Sequence, residues 1–388
     1  MRLGIAVVSL ALSACASAGS KDPAYPVVGS KDLANSVAGS KDPAYVLAGS
    51  YIFPTSSTDA KGLHFGGLSG LAPLRDGAEM LAVSDEREDS RVYKLAIEWT
   101  PSGARVVETG SIRLQIGKGA PDVLDPEGIA ITRNGHMIVS SEGVGTVEPR
   151  LPPALVEYDM EGRYIRQLAV RPKYIPNRTG RAITGVRGNA AFESLTMASD
   201  FSQLYTATEL PLIQDGDADP FESKVRTRIL EYVPLGETYR PAGEFVYEIE
   251  QLARAPFEQR FAINGVVELL ALGNRELLVL ERGFVESTDR LRTINRIQVF
   301  HVSLAGATNV SRYESLRHAG SVRPVTKTLV LDVNTVQGLE SRLAGLDNFE
   351  GMAWGPVPPG GGARPLVLVS DDNQNPRQVT AFLFLRRP

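Results

Sequence analysis

The sequence predicts an all-β fold, a single β-propeller of five four-stranded blades, or six if a long insertion hides a degenerate unit. Three observations predict it. First, a carboxylate returns in one apolar setting, as Asp125-Pro126-Glu127-Gly128, Phe192-Glu193-Ser194-Leu195, Val267-Glu268-Leu269-Leu270 and Phe349-Glu350-Gly351-Met352. A fifth copy, Gly67-Leu68-Ser69-Gly70, carries serine in that place. Second, each copy is followed by another short apolar run ending in acid: Ser84-Asp85-Glu86, Ser141-Glu142, Thr208-Glu209, Leu280-Glu281 and Ser370-Asp371-Asp372. Third, the internal period of roughly 60 to 80 residues is strand-like throughout, the signature of a radial repeat.

The elements follow in chain order. Residues 1–14 read as a signal peptide: Arg2 precedes an apolar run too short to span a membrane. Leu12-Ser13-Ala14-Cys15 resembles a bacterial lipobox, which would make Cys15 the lipidated first residue of an exported, outer-membrane lipoprotein facing the periplasm or the cell surface. The competing reading is an ordinary secretory signal cut after residues 16–18. Residues 15–44 read as a tether, because a ten-residue unit beginning Gly-Ser-Lys-Asp recurs there and cannot bury a core. Thirty such residues would reach about 30 Å.

From residue 45 to 388 the chain divides into units of four strands. The first is expected at 70–73, 80–84, 91–97 and 105–115. The second lies at 128–132, 136–140, 154–159 and 164–170, its turns carrying Asn134-Gly135 and Glu161-Gly162, which hairpins favour. The third spans 194–198, 203–208, 228–233 and 244–249, and the fourth 266–272, 276–281, 296–302 and 328–332. The last offers only 351–354, 365–370 and 378–385. Residues 45–53 would supply its missing outer strand, closing the ring and removing the exposed edges.

Bulk composition narrows the function. Of 388 residues, 43% are hydrophobic and the net charge is −4, so a core is available and no basic stripe invites nucleic acid. Cys15 is the single cysteine, which excludes disulfides from the mature domain. Oligomeric state is left open.

A propeller would gather the recurring acids near its axis. Asp85, Glu86, Glu127, Glu142, Glu193, Glu209, Glu268, Glu281, Glu350, Asp371 and Asp372 are the candidate metal ligands. Crowded carboxylates must be neutralised by protons, arginine or a cation, and hard oxygen donors suit Ca²⁺ or Mg²⁺. Arg87, Arg282 and Arg377 follow the acids closely and could hold phosphate oxygens. The plainer alternative is that each glutamate staples a neighbouring blade. Two acidic loops, Asp215-Gly216-Asp217-Ala218-Asp219 and Asp371-Asp372-Asn373-Gln374-Asn375, have alternate oxygen donors but lack the glycine and glutamate of an EF-hand. Ser69 does not stand in a Gly-x-Ser-x-Gly elbow, and the four histidines, His64, His136, His301 and His318, are scattered.

At these motifs the chain resembles the phytase-like family named for "esterase-like activity of phytase". The residues carrying the resemblance are Gly66–Leu71 with Ser84-Asp85-Glu86, Asp125–Gly128 with Ser141-Glu142, Asn189–Leu195 with Thr208-Glu209, Glu281–Phe284, and Asn348–Gly351 with Ser370–Asn373. The resemblance implies a propeller with an acidic centre and a hydrolase acting on a small phosphoester. From the constellation of acids and arginines itself, Ca²⁺ would sit among the carboxylates, with Glu127, Glu350, Arg87 and Arg282 as the candidate catalytic residues. The competing class is a non-catalytic ligand- or protein-binding propeller whose acidic centre is structural, and a carboxylesterase built on Ser69 is the remote third.

Overall fold

The computed structural model describes residues 45–387 apart from Ser102, His318 and Ala344. The expected signal peptide and tether, residues 1–44 with Cys15, therefore lie outside the described residues. Twenty strands make five antiparallel sheets of four, which settles the blade count at five. Strand β1 (Val46–Ile52) is followed by blade one: β2 (Leu68–Leu74), β3 (Glu79–Ser84), β4 (Arg91–Thr100) and β5 (Gly103–Arg113). Blade two is β6 (Pro126–Ile131), β7 (Met137–Ser141), β8 (Ala154–Tyr158) and β9 (Tyr164–Gln167). Blade three is β10 (Thr196–Met197), β11 (Leu204–Ala207), β12 (Val225–Leu235) and β13 (Thr238–Ile249). Blade four is β14 (Gln259–Gly273), β15 (Glu276–Ser287), β16 (Thr293–Ser303) and β17 (Thr326–Asp332). Blade five holds β18 (Asn348–Trp354), β19 (Leu366–Asp371) and β20 (Ala381–Arg386), and β1 completes it by pairing with β20 from Val46↔Arg386 to Ile52↔Ala381. Four short 3-10 turns are the only helical elements among the described residues, and none is long enough to cross a membrane.

Turn chemistry sets the hairpins. Asn274 and Arg275 both adopt positive φ between β14 and β15, as a two-residue hairpin loop requires, and Gly135 and Gly162 take φ of 76° and 80°. Both faces of every sheet are covered. Five hydrophobic clusters fill the five seams between neighbouring blades, from Leu81, Val83 and Val139 between blades one and two to Phe65, Val369 and Phe382 between blades five and one. Each fully buried Leu, Val or Phe in a seam contributes roughly 1.5–3 kcal/mol. Strands β2, β6, β10, β14 and β18 are the innermost, and each touches the next around the ring.

Every inner strand carries one extra residue where it meets the end of its partner. In blade one Leu68 pairs with Ser84 and Gly70 with Val83, so Ser69 is the bulge; in blade five Phe349 pairs with Ser370 and Gly351 with Val369, so Glu350 is. Blades two and three do the same around Glu127 and Glu193. Blade four departs from the expected alignment. There Val266 pairs with Glu281 and Glu268 with Leu280, so Val267 is the bulge and Glu268 falls one place later. By the same register Glu281 matches Ser84, Ser141, Thr208 and Ser370, while Arg282 takes the place of Asp85, Glu142, Glu209 and Asp371.

Candidate functional site

The bulges aim Glu127, Glu193 and Glu350 into one end of the channel, and the residues just past the second strands aim Asp85, Glu142, Glu209 and Asp371 at the same place. Among these, all but the half-buried Asp85 are at most 8% exposed. Asp125, which the sequence reading did not select, joins them: one oxygen each from Asp125, Glu127 and Glu142 lie within 4.8 Å of one another. Its place immediately before Pro126-Glu127 was the available signal.

Eight carboxyl groups thus share one end of the ring with one buried arginine and one at its opening. Arg282 Nη2 donates to Glu209 Oε1 at 3.1 Å and lies 3.4 Å from Glu350 Oε1, while Nη1 donates to Asn348 Oδ1 at 2.5 Å. Arg87 grips Asp125 with a fork, Nε to Oδ1 at 2.6 Å and Nη2 to Oδ2 at 2.5 Å, and also reaches Asn189 Oδ1 at 2.9 Å. Its side chain is 48% exposed, whereas that of Arg282 is 15% exposed. Arg282 is therefore an internal counter-charge, and Arg87 stands at the opening.

Two cations do not balance eight acids, and the consequence is electrostatic. Burial, reinforced by Glu350, Asp125, Glu86 and Asp372, pushes Asp85 up to about 7. Burial pushes Glu142 up to about 8, although the Ala191 amide donates to its Oε1. Glu209 rises to about 7 through burial despite Arg282 beside it. Burial and mutual repulsion hold Glu127, Glu193 and Asp371 well above the usual carboxylate range. Glu350 and Asp125 are raised by burial and drawn back by Arg282 and Arg87. Glu142 Oε2 and Asp85 Oδ1 are buried with no hydrogen-bond partner. Oxygens left in that condition are unfavourable unless a proton or a cation meets them, and this donor set is the one a hard divalent cation accepts.

The remaining candidates are placed elsewhere. Glu268 stands where other blades carry Gly70, Gly128, Ser194 or Gly351; its Oε1 accepts from the amides of Leu195 at 3.1 Å and Leu269 at 3.0 Å, and the carboxylate also accepts from Met352. It ties blades three, four and five together by backbone hydrogen bonds. Glu281 accepts from Tyr247 Oη at 2.7 Å, Lys327 Nζ at 2.8 Å, Asn264 Nδ2 at 3.0 Å and the Glu250 amide at 3.1 Å, beside blade four. The register shift is what separates both from the acidic group. Glu86 and Asp372 lie at the rim: Gln374 donates to Glu86, and Asp372 accepts from the Gly67 amide and faces His64 Nε2 at 2.9 Å. Asp215, in the other acidic loop, is consumed by a forked pair with the fully buried Arg228 at 2.7 and 2.8 Å. Ser69 Oγ is buried without a hydrogen-bond partner, and the histidines His136 and His301 pair with Glu157 and Glu276, so no base addresses Ser69.

A family model described as "Phytase-like: Esterase-like activity of phytase" matches residues 63–374. An "Uncharacterized secreted protein" of Arthroderma benhamiae is 28% identical over 144 residues, covering 32% of this chain and 26% of that protein. The chain thus spans about a quarter of that relative's length. Among solved structures, an endo-arabinase from Bacteroides thetaiotaomicron is similar at 12% identity and a TM-score of 0.42, covering 87% of this chain and 98% of that one. A hypothetical protein from Leishmania major is similar at 11% identity and a TM-score of 0.35, covering 83% and 85%.

Proposed function

The chain belongs to the phytase-like family described by the esterase-like activity of phytase, and from that membership we propose that it is an exported, calcium-dependent phosphoester hydrolase. The observation that carries the proposal is the pair of orphaned, buried oxygens on Asp85 and Glu142 beside the Asp125–Glu127–Glu142 triplet, with the half-exposed Arg87 at the opening. Asp85, Asp125, Glu142, Glu193 and Asp371 would hold the cation, with Glu127 beside them. When bound there, Ca²⁺ supplies Lewis-acid polarisation of a phosphoryl oxygen. Arg87 keeps its fork on Asp125 and offers its exposed edge to the phosphate. Arg282 is turned to Asn348, Glu209 and Glu350, so it sets the charge of the site instead of touching phosphate. Glu127, held well above the usual carboxylate range by burial and its acidic neighbours, can hand a proton to the departing alkoxide. Glu350, whose negative form Arg282 favours, can take one from the attacking water. Export, with a lipid anchor on Cys15, is supported by the N-terminal sequence and by the secreted relative.

The test is calcium titration of the full chain, paired with hydrolysis of p-nitrophenyl phosphate in calcium and in EDTA. Stoichiometric binding with calcium-dependent turnover that Glu127→Gln lowers about 100-fold supports the hydrolase. A second reading, a non-catalytic binding propeller, is favoured by Glu268, which uses its carboxylate only on backbone amides of its own and neighbouring blades. Calcium that raises the melting temperature while every phosphoester stays intact would select it. Absence of both binding and turnover would remove the calcium hydrolase.

A further inference from the structure

Blade four differs from the others in height as well as in register. In blades one and five the innermost strands begin close to the bulge, at Leu68 and Asn348, and their partners end at Ser84 and Asp371. In blade four β14 begins at Gln259 and β15 runs on to Ser287, so their ladder continues from Gly265↔Arg282 out to Gln259↔Ser287. Strand β16 accompanies them as far as Thr293↔Glu286. Residues 282–287 therefore carry a three-stranded tongue about 16 Å beyond Arg282, at the acidic end of the ring.

The two faces of the tongue are unlike. Gly283 and Val285 face the segment 250–258, which braces them: a Cβ on Gly283 would meet the Leu252 side chain at 2.7 Å, and Val285 is buried. Asn264 Nδ2 donates to the Glu250 carbonyl at 2.7 Å, Arg296 Nη1 to the Gln251 carbonyl at 3.0 Å and the Thr288 amide to the Glu258 carbonyl at 3.1 Å. Strand alternation puts Arg282, Phe284 and Glu286 on the other face, with Ile263 and Phe261 across from the last two. The Phe261 and Phe284 rings lie 6.2 Å apart, and Phe261 is 48% exposed. At the foot of this face Arg282 is held by Asn348, Glu209 and Glu350; at its tip Glu286 accepts from Arg260. Its charged groups are thus engaged, and what it offers a ligand is aromatic.

In a ring of five, the seam between blades one and two is diametrically opposite blade four. Arg87, just past the second strand of blade one, crosses that seam to Asp125 at the start of blade two. Its guanidinium and the tongue therefore stand on opposite sides of the acidic opening. A phosphate held by Arg87 and the acids has the aromatic face as the wall on its far side. We propose that this face, through Phe284 and Phe261, binds the alcohol half of the phosphoester, and that this half is an aromatic ring system instead of a polyol. The inference rests on the phosphoester reading of the acidic end and names its substrate class. A rigid sheet braced from behind suits the task, because aryl groups gain from ring contacts about 4.5–7 Å apart without further ordering of the wall.

The test titrates the full chain, in the presence of calcium, with 1-naphthylphosphonate and methylphosphonate, which carry the head group and cannot be hydrolysed. Naphthylphosphonate should bind about tenfold more tightly, the worth of contact with two rings. Phe261→Ala should remove about threefold of that preference, and Phe261→Ala with Phe284→Ala all of it, while methylphosphonate and calcium affinities stay unchanged. Should the double variant fail to fold, the exposed Phe261 variant decides alone. Equal affinity for the two phosphonates, a preference that Phe261→Ala leaves intact, or no binding of either overturns the proposal. Turnover is read separately on p-nitrophenyl phosphate. If that ester stays intact while the naphthyl preference holds and falls with Phe261→Ala, the hydrolase is removed and the tongue stands as the wall of a binding site.

Discussion

Arg282 holds in blade four the register position that Glu209 holds in blade three, and it donates to that same Glu209 at 3.1 Å. One blade of five has exchanged acid for base, which divides the acidic end into two parts. Glu209 and Glu350 have a resident counter-charge. Asp85, Glu127, Glu142, Glu193 and Asp371 form no direct ion pair with a described residue, and it is on this side that Glu142 Oε2 and Asp85 Oδ1 are left without partners.

Arg282→Gln should therefore destabilise the protein in a pH-dependent way. Removing one partner of a buried ion pair costs about 3–5 kcal/mol. Protonation of Glu209 and Glu350 relieves most of that, so the melting temperature should fall steeply at pH 8 and little at pH 5. An equal fall at both would assign Arg282 a packing role only.

The ion-free protein should be more stable in mild acid than in mild base. Asp85 and Glu209 titrate near 7 and Glu142 near 8 in the fold, against about 4 in an unfolded chain. Between those values the folded state holds protons that the unfolded state has released, so this stabilisation is complete below pH 4 and lost as pH rises through 7 to 8. A bound cation displaces the protons, and its affinity should run the other way, strengthening from pH 5 to pH 8. Thermal melts in EDTA and in calcium at both pH values measure both slopes; a flat EDTA profile would contradict the clustering.

Glu142→Gln and Glu281→Gln should separate metal binding from architecture. The first should weaken calcium at least tenfold and, in EDTA above pH 8, raise the melting temperature, because there it removes a buried charge with one orphaned oxygen. The second should leave calcium affinity unchanged while lowering stability by about 1–3 kcal/mol, as Lys327 and Tyr247 lose their charged acceptor. Isothermal titration and chemical denaturation of the two variants provide the comparison.

Glu268→Leu should destabilise the ring by about 1–3 kcal/mol by leaving the amides of Leu195, Leu269 and Met352 short of an acceptor. Hydrogen exchange should accelerate at those three amides, in three different blades. Exchange confined to blade four would remove Glu268 from its bridging role.

Strand positions and blade count were legible because alternating apolar runs and Asn-Gly turns are local properties. Closure by residues 45–53 was legible because the last unit lacked a strand and the N-terminal segment had one to give. The register of blade four was not. Val267-Glu268 and Phe349-Glu350 look alike in sequence, yet one glutamate follows the bulge and the other is the bulge. The clue was the next residue: Ser69, Glu127, Glu193 and Glu350 precede Gly70, Gly128, Ser194 and Gly351, whereas Glu268 precedes Leu269. The small residue is needed because inner strands nearly touch there; a Cβ on Gly70 would come 2.5 Å from the Glu127 carbonyl and one on Gly128 2.5 Å from the Leu195 amide. Asp125 and Arg87 escaped pairing because they meet across two blades, a relation no local pattern carries.

Blade five joins one strand that precedes blade one, β1, to three that follow blade four, β18 to β20. A nascent chain emerging from the ribosome, or a polypeptide threading a translocon, has no partner for β1 until β20 arrives. Four blades can form in order of synthesis, but the seam between last and first waits for β20, so the longest strand pairing in the ring comes last. Until that moment the arc keeps two open flanks available to other chains. Loss of β20 alone would therefore leave the circle permanently unlatched.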